Sequence, residues 1–148
     1  MAIGGTIYGC IRTPWGLVHK SLRRHNIRVL RHLPREDTWP PLISSMFGIT
    51  GPSAREGAYD HDLIHYGVTL KGMDEKDALA WIAKFEALLR RLYWFEVVMH
   101  MNWILGDRIF RWTADKEQVQ RMLVLSSPGT IDRWTFADGG NPITLSIK

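Results

Sequence analysis

The spacing of apolar residues changes once between positions 74 and 113, where a helix gives way to a hairpin. Over 74–94, Ala78, Trp81, Ile82, Phe85, Leu88, Leu89 and Leu92 recur at three- and four-residue intervals, with Lys84, Glu86 and Arg90 mostly opposite. Asp74 suits the N-cap of this helix, with Asp77 three residues on. After Trp94 the period becomes two. Met99, Met101, Trp103, Phe110 and Trp112 then share one face, and Glu96, His100, Asn102 and Arg111 the other. Gly106-Asp107 predicts a two-residue turn with glycine at its first central position. That turn would pair Met101 with Trp112, Asn102 with Arg111, Trp103 with Phe110 and Ile104 with Ile109. The apolar face must then meet the helix.

The rest of the chain reads the same way. Residues 6–11 form a strand that stops before Pro14. Over 15–33, Leu17, Val18, Leu22, Val29, Leu30 and Leu33 follow helical spacing with arginines between them, and Asn26 could cap a second short helix over 27–33. Pro41 can open a short helix through Phe47, and 48–57 is a Gly-, Pro- and Ser-rich surface loop. Residues 62–71 alternate, with Ile64, Tyr66, Val68 and Leu70 against His65, Gly67, Thr69 and Lys71. Asp115 caps a helix to about Val124, 131–136 is a strand, and 143–147 is a short edge strand or an ordered tail. The expected architecture is a single α+β domain over 1–148: a mostly antiparallel sheet of four or five strands with helices packed largely on one face.

Composition agrees with a folded domain. Apolar residues make up 45% and charged residues 23% of 148, which argues against disorder. Seven tryptophans are a heavy load, expected mainly in the core or at an interface. Cys10 is the only cysteine, so neither an intrachain disulfide nor a cysteine zinc site can form, and a reducing cytoplasm is the expected compartment. The first eight residues lack the basic-then-apolar pattern of a signal peptide, and no apolar run is long enough to span a bilayer. The charge is uneven. Residues 1–35 carry seven basic side chains and no acidic one, while the remainder carries twelve basic against fifteen acidic. Such a segment suits a polyanion, or it docks on the protein's own acidic body.

Candidate chemistry falls in two places. On the polar sheet face, His65, His100 and Arg111 are candidates for an acid–base site, provided the two histidine strands are neighbours. His61 and His65 stand about 13 Å apart along a strand, as do Glu96 and His100, so neither pair can share a metal. No metal site and no cofactor is expected, since Walker, Rossmann, HExxH and EF-hand patterns are all missing. In the basic segment 12–35, Arg23, Arg24, Arg28 and Arg31 could line one helical flank and meet phosphates. Trp39, Met46 and Phe47 are candidate anchors for a protein partner.

With no complete catalytic motif, the leading expectation is a non-enzymatic cytoplasmic binding protein, one that could act by sequestering a protein partner. Its analogy is with the small bacterial immunity proteins that neutralise toxins, and it rests on size and class alone. The alternatives are a nucleic-acid binder using 12–35 and a small acid–base enzyme on the polar sheet face.

Overall fold

The computed structural model describes residues 4–14, 19–50, 62–103, 106–125 and 131–138; His61 and the 143–147 segment lie outside them. Six strands, β1 (Gly5–Thr13), β2 (Phe47–Thr50), β3 (Asp62–Leu70), β4 (Glu96–Trp103), β5 (Gly106–Ala114) and β6 (Trp134–Asp138), form one sheet in the order β2-β3-β1-β4-β5-β6. Every neighbouring pair is antiparallel. Among the described residues three helices, α1 (Lys20–Arg31), α2 (Glu75–Leu89) and α3 (Lys116–Leu125), join the sheet in an α+β architecture. The sheet has one strand more than the four or five expected, because Phe47–Thr50 pairs with β3 instead of joining the surface loop. The short helix expected over 41–47 shrinks to a 3-10 turn at Ser44–Met46.

Alternation assigns the two faces. Ile7 and Ile11, Ile64 and Tyr66, Val97 and Met99, and Phe110 and Trp112 all point into the core. Leu22, Val29 and Leu30 of α1, Trp81 and Phe85 of α2 and Met122 of α3 pack into that same cluster. Phe85 touches both Tyr66 (centroids 4.9 Å apart) and Trp112 (5.5 Å), so one α2 residue spans the middle of the sheet. Each fully buried indole finds an acceptor: Trp81 donates to the Pro41 carbonyl, Trp94 to that of Leu89 and Trp112 to the Glu86 carboxylate. Without these bonds three buried N–H groups would each lose the hydrogen bond they make in water. Asp74 and Asp77 close a capping box at the start of α2.

The hairpin departs from its expected register. Trp103 stands opposite Gly106 and Met101 opposite Arg108, so every pairing moves by four residues and Gly106 lies in the strand rather than in the turn. An even slip leaves each side chain on its original face, and the inside-out assignment survives the wrong turn. The apolar pair Ile104-Leu105 reads as strand, which is why Gly106-Asp107 looked like the better turn.

Helix ends also shift. α2 stops at Leu89 rather than at 94, although Leu92, Tyr93 and Trp94 are all buried. They are apolar because the connection itself lies in the core. Asn26 is no cap either. It sits inside α1, buried, with its amide donating to the Tyr93 carbonyl and its oxygen accepting from the Tyr93 N–H, both at 2.9 Å. One side chain thus satisfies both backbone groups of Tyr93 in the buried α2–β4 connection.

Three strand glycines face aromatic partners: Gly9 opposite Tyr66, Gly67 opposite Tyr8 and Gly48 opposite His65. Tyr66 lies across Gly9 and donates to the Val98 carbonyl at 2.7 Å, reaching over β1 to β4. Burial, and secondarily the nearby Cys10, raise its phenol well above the usual range. A raised pKa means that Tyr66 stabilises the fold fully below about pH 10 and that this contribution is lost as pH rises toward the folded value. Tyr66→Phe should therefore cost about 1 kcal/mol at neutral pH and flatten the alkaline loss of stability. Denaturant titrations from about pH 8 to 11 would show this. Equal alkaline slopes in both proteins would count against it.

Candidate functional site

The sheet face away from the helices carries the polar residues, but it does not gather them. His65 stands opposite Cys10 and His100 opposite Tyr8, with β1 between their two strands. Two strand spacings and a two-residue offset put their backbones about 12 Å apart, beyond the reach of cross-strand pairs. The condition for joint acid–base action by His65 and His100 is not met. Each ring has a packing role instead: His65 covers Gly48, and His100 stacks on Tyr8 with centroids 4.9 Å apart. Arg111 is opposite Val98 rather than Asn102, and its guanidinium donates to Glu96 at 3.1 Å. Glu96 also meets Arg12 at 3.5 Å, while Asn102 bonds Asp107. The Cys10 thiol is held above its ordinary pKa, first by burial and then by the Glu96 charge, which keeps it protonated and a poor nucleophile. The charges on this face are spent on one another. Among the described residues, no three His, Cys, Asp or Glu side chains converge as metal ligands would.

The basic segment divides in two. Arg23 turns inward and its guanidinium sits 2.6 Å from Asp62, whose side chain is 0% exposed. The sequence placed Arg23 with the phosphate-binding set, but one residue is about 100° of helix, enough to separate it from Arg24. Lys20, Arg24, Arg28 and Arg31 follow the i, i+4, i+8, i+11 spacing of a single exposed stripe, and Arg35 lies just past the helix end. None of these five meets a carboxylate among the described residues. α1 carries no acidic residue in its first turn and no side-chain cap, and its N-terminal charge opposes the helix dipole. Like charges four apart also cost a helix a few tenths of a kcal/mol per pair. Lys20 and Arg24 thus weaken the start of the helix, Arg28 and Arg31 in its last turn suit the dipole, and no carboxylate among the described residues pairs with the row. Local rules are broken in this way at functional surfaces.

Beside the stripe, α1 and β2 enclose a groove of about 500 Å³. Ile27 and Leu30 line one wall, Phe47, Gly48 and Ile49 the other, and Arg23, Arg31 and Arg35 the rim. Of the aromatic and sulfur anchors expected from sequence, Phe47 belongs to this groove while resting on Tyr66. Met46 is buried at 8% exposure and is core, not surface, because the 3-10 turn rotates it inward. Trp39 is 51% exposed on a loop clamped by Lys84, whose ammonium reaches Asp37, the Thr38 carbonyl and the Pro40 carbonyl. The Lys84 hydrogen bond, and next the Leu42 N–H, lower the Asp37 pKa and keep that clamp charged.

Sequence reasoning missed Lys20 and Arg35 as stripe members, although the 4-4-3-4 spacing was there to find. It could not have found the groove. That depends on β2 pairing with β3, which no local pattern in Phe47–Thr50 announces. Among the described residues, no helix is long and apolar enough to cross a membrane. Comparison with known protein families, curated proteins and solved structures gives no match.

Proposed function

We propose that this chain is a non-enzymatic binding protein of the cytoplasm that holds an anionic macromolecular partner, in the first place a protein, against α1. The observation that carries this reading is the exposed row Lys20, Arg24, Arg28, Arg31 and Arg35, none of which forms an ion pair among the described residues. A partner's acidic groups would supply the missing counter-charges and relieve the repulsion along the helix. Attraction of this kind speeds encounter and selects acidic partners by rejecting basic ones. Sequestration follows if the covered surface is also the partner's working surface.

The test is capture from the native cell by the wild-type chain and by a triple variant, Arg24→Glu/Arg28→Glu/Arg31→Glu. These three side chains form no ion pair among the described residues, so the variant should lose no more than about 2 kcal/mol, mainly from placing acids in the last turn of α1. Proteins retained by wild type and lost by the variant are the expected result. An identical captured set would remove the reading. Nuclease treatment in parallel separates the second reading, nucleic-acid binding, which the same stripe favours: material released by nuclease, with salt-steep binding, would place the phosphate backbone there.

A further inference from the structure

The groove between α1 and β2 has an edge strand on one side and, on the other, Arg31 and Arg35, which form no ion pair among the described residues, and we infer that it takes an extended acidic peptide segment of a partner protein, added as a strand beside β2. This rests on the binding reading above and names the class of partner. Among the described residues β2 ends the sheet and pairs only with β3. An edge strand leaves a row of backbone N–H and C=O groups turned outward, and an extended chain can complete them. Gly48 lines the groove. Having no side chain, it does so with its backbone.

The side-chain chemistry selects the occupant. Ile27 and Leu30 join Phe47 and Ile49 in an apolar floor, and Arg31 and Arg35 line the groove beside it with no ion pair among the described residues. In an extended chain every second residue faces the same way, about 6.6 Å apart. A peptide beside β2 can therefore set one apolar residue on the floor and carboxylates two residues away against the arginines. The four residues of β2 limit pairing to about 13 Å of chain. A nucleic-acid strand matches this groove less well. Among the described residues the groove has a single aromatic ring, Phe47, which also packs on Tyr66 with centroids 5.9 Å apart, so successive bases have no row of rings on which to stack. A phosphate backbone also has no alternating donors and acceptors to offer a strand edge.

The probe is a fluorescein-labelled peptide, Thr-Glu-Thr-Val-Thr-Glu-Thr, titrated with the whole chain and followed by anisotropy at two salt concentrations. Saturable binding that weakens with salt is expected, with about a tenfold loss for Arg31→Glu and again for Arg35→Glu, as for other charge-assisted contacts. Backbone N-methylation of the peptide tests the strand geometry without altering the protein. Methylating one alternate set of nitrogens should abolish binding, and methylating the other should change it by less than about twofold, since only one set faces the β2 edge. Four results would overturn the inference: no saturable binding, indifference to either arginine reversal, equal effects of the two methylation sets, or tighter binding of an oligothymidylate than of the peptide. The capture experiment decides separately whether the broader binding reading stands.

Discussion

Arg23→Met is expected to destabilise the protein by about 3 kcal/mol, far more than loss of any arginine in the exposed stripe. The reason lies in Asp62, whose side chain is fully buried and whose Oδ2 is held by Arg23 at 2.6 Å. Its Oδ1 has no hydrogen-bond partner among the described residues, so Arg23 is what offsets the desolvation of that carboxylate. Removing one member of a buried pair costs about 3–5 kcal/mol because a charge is left in the interior. Arg23 is itself 23% exposed, which lets some water reach the pair and places the value at the low end. Replacing both, as Arg23→Met with Asp62→Leu, should recover most of the loss, since an apolar pair leaves nothing uncompensated. Arg28→Met serves as the control and should stay within about 0.5 kcal/mol. Urea denaturation of the four proteins measures all of this. If Arg23→Met and Arg28→Met had equal midpoints, the ion pair would have no structural weight, and Arg23 would return to the binding stripe.

Gly9→Ala should cost about 3 kcal/mol, the upper end for overpacking a core. A Cβ at this position would overlap the Val98 carbonyl oxygen and lie 2.6 Å from the Tyr66 hydroxyl and 2.9 Å from its ring carbon. The first obstacle is backbone, which cannot swing aside. The second is a buried phenol already committed to that same carbonyl. Relief requires β1 to separate from β4 or Tyr66 to give up its bond. Gly67→Ala is the matched comparison. That glycine belongs to the other sheet face, and its nearest neighbours, the Ile7 carbonyl and the Tyr8 Cβ, are both 3.7 Å from the built Cβ, ordinary contact. It should be nearly neutral, within about 0.5 kcal/mol. Similar denaturation midpoints for the two variants would mean that Tyr66 does not depend on the space above Gly9.

Local pattern alone determined the two faces of β3, β4 and β5, the apolar stripe of α2 with its Asp74–Asp77 cap, and the excess of cations in the first 35 residues. These are legible because burial on one side imposes a period, 3.6 in helices and two in strands, and capping acts within three residues. The even-numbered error in the hairpin did no harm to the faces for the same reason. What tertiary structure decided is everything that needed a partner distant in the chain. Asn26 became a bridge to Tyr93 rather than a cap because 67 residues separate the groups that satisfy it. Arg23 left the cationic stripe because Asp62, 39 residues away, was brought beneath it. His65 and His100 were parted because β1 inserts between β3 and β4, an order that alternation along each strand cannot encode. Among the described residues, β2 became a sheet edge facing α1 by pairing with β3, more than ten residues further along the chain. Periodicity records which side of an element is buried, and it carries no information on which element covers it.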